Sequence, residues 1–299
     1  MSVSPTNAPL TIASGDWRAE IVPERGGRMA RLTFRGAEVL EPITDWNPPG
    51  RAWPGAGLYP LVPYSNRIAN ARLRIADRAV RLRVHPFAAP HAVHGPGHRR
   101  PWTVEAAGRD GATLRLDYEA DEDWPWAFES VLSFALEDDA LATAITLRNR
   151  AAEPMPAGLG LHPFFHAPDG TRYAFSYRDR WQQLETDPPA PRFGDDPIEV
   201  RDTVTREGLA ACLGRWGGEG IISRPDLTIR VSSSANLTHL VVYRAAASAF
   251  LCLEPVSHAT DGFNLHAEGQ PHTGATFLAP GETLAAAMTI ACTPPATTA

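Results

Sequence analysis

An all-β fold, a large antiparallel β-sandwich, is predicted by three observations. Many short segments alternate apolar and polar residues, helix-period runs are hard to find, and 28 prolines with 24 glycines set turns between the segments. Leu114, Leu116 and Tyr118 alternate with Arg115, Asp117 and Glu119, as a half-buried strand requires. Leu132, Phe134 and Leu136, then Leu141, Thr143, Ile145 and Leu147 across Glu137-Asp138-Asp139, predict a hairpin. Arg72 to Ile75 and Val80 to Val84 predict another around Asp77, and Leu227 to Val231, His239 to Tyr243 and Thr283 to Ile290 continue the pattern. Two stretches break it: Asp45 to Pro60, rich in Pro, Gly and Trp, and Thr186 to Asp202, with four prolines. Strands of one kind flank both, so they read as long loops of one domain, 1–299, with residues 293–299 a frayed tail.

Composition narrows the partners. A net charge of -6 offers no basic field for nucleic acid or an anionic membrane, and a neutral small molecule is the easier ligand. Three cysteines, Cys212, Cys252 and Cys292, are odd in number and widely spaced, which argues for buried free thiols rather than a disulfide framework or a Cys-rich metal site. With no export signal or membrane span in view, the expectation is a cytoplasmic protein, monomer or homodimer.

Four stretches carry the polar groups that chemistry would need. In FLCLEPVSHATDGFN, Glu254 ends an apolar strand that Pro255 is expected to stop, a place where a sheet opens into a cleft and partial burial lifts a carboxyl pKa. In GLGLHPFFH, His162 stands in a matching position before Pro163. Asn66 and Arg67 follow a proline-braced run, which suits directed hydrogen bonds to hydroxyls. In HAVHGPGHRRPW, His94 lies in a Gly/Pro-rich loop near Trp102; the glycines and proline, with no close carboxylate or Cys, argue against metal binding by His91, His94 and His98. His162 and His166 lack a third ligand in sequence. A carboxylate and an imidazole, without a nucleotide loop or nucleophile elbow, make an acid/base kit.

These motifs resemble the aldose 1-epimerases, the galactose mutarotase family. The likeness runs in order from Val22-Pro23-Glu24-Arg25-Gly26-Gly27 through PYSNRI, HGPGHRRPW and LGLHPFF to CLEPVSHATDGFN. The resemblance implies a galactose mutarotase-like β-sandwich with a sugar cleft and no metal or organic cofactor. It assigns Glu254 as general base at the anomeric hydroxyl, His162 as general acid at the ring oxygen, and His94, Arg67 and Asn66 as substrate-binding residues. The two catalytic groups are expected on opposite sides of one pocket, a ring width apart.

The chain departs from the family before Trp216-Gly217-Gly218, where Ala210 or Ala211 stands for a sugar-binding Asp that Asp202 or Asp226 would have to replace. Competing readings are a hexose-phosphate epimerase using Arg72, Arg74 and Arg99, a non-catalytic sugar-binding module, and a lyase or glycosidase with Asp261 as second carboxylate.

Overall fold

A computed structural model describes residues 9–48, 54–75, 78–137, 139–182 and 191–294 of the chain. Among them a ten-stranded and a nine-stranded sheet, all antiparallel, are joined by one buried cluster to which both contribute, from Leu132 and Ile145 on one side to Leu251 and Leu253 on the other.

The nine-stranded sheet follows the alternation. Gly111–Tyr118 buries Leu114, Leu116 and Tyr118 and leaves their neighbours exposed or half-buried. It pairs with Phe128–Leu136, which pairs in turn with Ala140–Asn149 as the predicted hairpin. Thr228–Ser233 and Thr283–Thr293 lie beside each other further along. Thr293 therefore belongs to a strand rather than to the frayed tail; residues 295–299 lie outside those described.

The ten-stranded sheet positions the site. From its middle to one edge run, in order, Arg28–Phe34, Leu58–Leu61, Gly160–His166, Phe250–Val256, His239–Arg244, Leu209–Gly214 and Asp179–Trp181. One face meets the other sheet through Leu161, Phe165, Leu251, Leu253 and Leu240. The opposite face carries a second apolar cluster that includes Tyr59, Phe164, Trp181, Cys212, Val241 and Cys252. All seven residues of Phe250–Val256 are buried, so no polar stripe betrays its outer face.

Several boundaries differ from expectation, and proline is the common cause. Pro163 and Pro255 sit inside strands that were expected to stop at or before them, and Pro60 sits inside a strand where a loop was expected. A proline withdraws one N–H, which ends a strand only where a neighbour needs that donor. The loop expected to reach Pro60 thus ends at Leu58, and the one expected to reach Asp202 yields the strand Ile198–Thr203; residues 49–53 and 183–190 lie outside those described. The second strand of the small hairpin is Arg78–Arg81 rather than Val80 to Val84; Asp77 falls outside the described residues.

Candidate active site

The strands of His162 and Glu254 are neighbours. Their pairing is recorded at Gly160↔Val256 and resumes at Phe164↔Cys252. In between, where Pro163 and Pro255 supply no amide donor, His162 stands directly opposite Glu254. Cross-strand partners share a face, and His162 Nε2 lies 3.3 Å from Glu254 Oε1. Both are buried, His162 at 4% and Glu254 at 2% exposure.

The expected ring-width separation is therefore replaced by direct contact. The cause is the register: with Gly160 opposite Val256 and Phe164 opposite Cys252, the two side chains fall on one face at one level of the paired strands. Burial of both does not place them inside the sandwich, because they point away from the other sheet, on the face of Cys252 and Val256.

Aromatic rings set the imidazole of His162. Its centroid is 4.5 Å from Phe164, nearly parallel at 9°, and 4.5 Å from Tyr59 on the adjoining strand. His94 meets its edge at 5.5 Å. Burial pushes the Glu254 carboxyl well above the usual carboxylate range. Burial also pushes His162 well below the ordinary imidazole value, with His94 and the Arg28 guanidinium adding to the effect. Both shifts disfavour the charged form of each group.

His94, Arg67 and Asn66 gather on two loops that clasp each other. The backbone N–H of Asn66 donates to His94 Nδ1 at 3.1 Å, and the N–H of His94 donates to the Asn66 carbonyl at 2.9 Å. Since Nδ1 accepts, the proton of the neutral ring sits on Nε2, and burial pushes the His94 pKa down to about 3. Asn66, at φ 55°, turns its amide oxygen onto the N–H of Arg67 at 2.9 Å. Its side chain thereby braces the arginine-bearing loop.

Three residues were missed from the sequence. Arg28 is 2% exposed, lies 4.1 Å over the Tyr59 ring and donates to His98 Nδ1; it follows Gly26-Gly27 in a motif quoted above. Gly26, at φ 86°, is required there because a Cβ would sit 1.9 Å from the His98 carbonyl oxygen. Tyr59 lies in the proline-braced run. His258 joins the loops over the site, accepting from the Ser65 N–H through Nε2 and donating from Nδ1 to the Ala259 carbonyl.

The substitutes for the family's Asp do not reach this face. Asp202 lies on the edge strand Ile198–Thr203 of the other sheet, beside Tyr173, and Asp226 is held by Arg224. Ala211 points into the inter-sheet core, whereas Ala210 pairs with Tyr243, the neighbour of Phe250 on the outer face. In register with Glu254, this face continues through Val241, Cys212 and Trp181, all apolar. Asp261 is also committed elsewhere, accepting from the Ala69 N–H and from Asn264 Nδ2, which leaves the glycosidase reading without its second carboxylate. His166 Nδ1 bonds Glu41, away from the pair. Among the described residues no helix is long and apolar enough to cross a membrane.

The family model for aldose 1-epimerase matches residues 10–291. The Escherichia coli K12 protein YphB is 26% identical over 261 residues, 79% of this chain and 83% of its own. By shape the chain is similar to an Escherichia coli K12 protein (TM-score 0.80, 21% identical, 96% and 99% of the two chains). It is also similar to a GalM/aldose epimerase homologue from C. elegans (TM-score 0.75, 15% identical, 96% and 99%). A match over nearly the whole length, on a chain whose ordered motifs converge on one face of one sheet, places it in the aldose 1-epimerase family.

Proposed function

We propose that the protein is an aldose mutarotase, interconverting the α and β anomers of a free aldose. The observation that carries this reading is the contact of His162 and Glu254 across paired strands, outside the sandwich core. In the carboxylate and imidazolium form of the pair, Glu254 takes the proton of the anomeric hydroxyl while His162 protonates the ring oxygen. The C1–O5 bond breaks, giving the open-chain aldehyde. Rotation about C1–C2 presents the other carbonyl face, and reclosure with both transfers reversed returns the pair to its starting state. No net proton is gained or lost.

A shared proton between two groups that each prefer neutrality suits this exchange, since sugar hydroxyls entering the site supply the hydrogen bonds that charge requires. His94, with its proton on Nε2, and Arg67 supply donors on one flank. The apolar run Val241, Cys212 and Trp181 offers a surface for C–H groups on the other. The phosphate version finds less support: Arg74 is paired with Glu268 and Arg99 with Asp123.

Saturation-transfer NMR over a panel of aldoses and their phosphates tests the proposal. Accelerated exchange between anomers, lost in Glu254→Gln, is the expected result. Sugar binding by calorimetry without any acceleration would select the non-catalytic module instead.

A further inference from the structure

We propose that His162, Cys252 and Glu254 form a binding site for a soft divalent cation, Zn²⁺ before Mg²⁺ or Ca²⁺, and that the bound ion blocks proton transfer. Cys252 precedes Glu254 by two residues on one strand, so the two share a face, and His162 lies opposite Glu254. One ligand atom from each residue, a ring nitrogen, a sulfur and a carboxylate oxygen, lies within 4.8 Å of the others. A tetrahedral ion at about 2.0–2.3 Å from its ligands needs them roughly 3.3–3.8 Å apart, so binding would draw the three atoms together by about 1 Å.

The donor set decides the ion. A thiolate favours Zn²⁺, Cd²⁺ or Cu⁺, whereas Mg²⁺ and Ca²⁺ seek several oxygens. Three protein ligands leave a fourth position for water or a sugar hydroxyl. His162 Nδ1 is buried with no side-chain or backbone partner from another residue among the described residues, which leaves it able to carry the ring proton while Nε2 binds the ion. Binding expels the thiol proton and the proton of the pair, hence affinity rises with pH. Once Nε2 and the carboxylate hold the ion, neither can exchange a proton. Only this blocking half rests on the proposed function; binding itself has its own readout.

The experiment adds Co²⁺ to the full-length protein and follows the thiolate-to-cobalt charge-transfer absorption. A band is expected that Zn²⁺ abolishes and excess Mg²⁺ leaves intact. Cys252→Ser should remove it, Cys212→Ser and Cys292→Ser should keep it, and Glu254→Gln should weaken Co²⁺ binding by about tenfold or more. If Cys252→Ser does not fold, His162→Gln replaces it, with circular dichroism certifying the fold. No band in folded protein, or a band that survives loss of Cys252 or His162, overturns the site. A band without zinc inhibition of anomer exchange in an active enzyme overturns the blocking half. A band in a protein that never accelerates exchange overturns the mutarotase reading and leaves the metal site standing.

Discussion

Two strands of similar length divide the molecule's chemistry. Phe128–Leu136 buries alternate residues and turns the others toward solvent, while Phe250–Val256 is buried throughout. The first is half of a sandwich and does only structural work. The second has a core on one face and the candidate site on the other, and there a carboxyl group is kept from water beside an imidazole. The proposed site lies on the outer face of a sheet, which here is covered rather than wet.

The largest effect that would sharpen this contrast is catalytic. Glu254→Gln should lower the rate of anomer exchange by roughly 10²–10⁴, measured by NMR line exchange, while its melting temperature stays level or rises, because a buried ionisable group has been replaced by a neutral one of the same shape. A fall in stability matching the fall in rate would break the comparison.

Next comes packing. Leu132→Ala, inward on the ordinary strand, should cost ~2–5 kcal/mol in denaturant unfolding. Gly158→Ala should cost roughly 1–3 kcal/mol, because the added Cβ would meet His258 Cδ2 at 2.3 Å inside the site's loop cover. Ser133→Ala, on the outer side of the ordinary strand, should stay within about 0.5 kcal/mol.

The pH profile is the gentlest test. Burial moves Glu254 up and His162 down. The folded pair therefore takes up a second proton at lower pH, and gives up its only one at higher pH, than the same groups do in water. The rate should form a broad plateau across neutral pH with both limbs pushed outward. The same shifts cost stability toward both extremes: the raised Glu254 disfavours the folded state as pH climbs above the ordinary carboxylate value, and the lowered His162 disfavours it as pH falls below the ordinary imidazole value. A narrow bell between those two ordinary values would mean that water reaches the pair freely.

The halves of the molecule differed in legibility for the same reason. Alternation made Gly111–Tyr118 and the 128–149 hairpin readable, because each has one wet face. In Leu58–Leu61, Gly160–His166 and Phe250–Val256 both faces are covered, so no alternation marks them; Leu58 to Pro60 reads as loop, and Pro163 and Pro255 read as strand ends. Glu254 and His162 remained visible as polar residues in apolar runs. Arg28 escaped notice because a lone arginine beside two glycines carries no sign of the Tyr59 and His98 rings that receive it. Cys252 was legible in principle, since period two already puts it beside Glu254.

The reciprocal hydrogen bonds between Asn66 and His94 make one mechanical unit of what reads in sequence as two ligand contacts. Truncating the imidazole would strand the Asn66 amide and loosen Arg67 behind it, so damage at either position spreads to the other. A thermodynamic cycle of His94→Ala and Arg67→Ala should accordingly give a double variant whose KM is far less impaired than the product of the single losses.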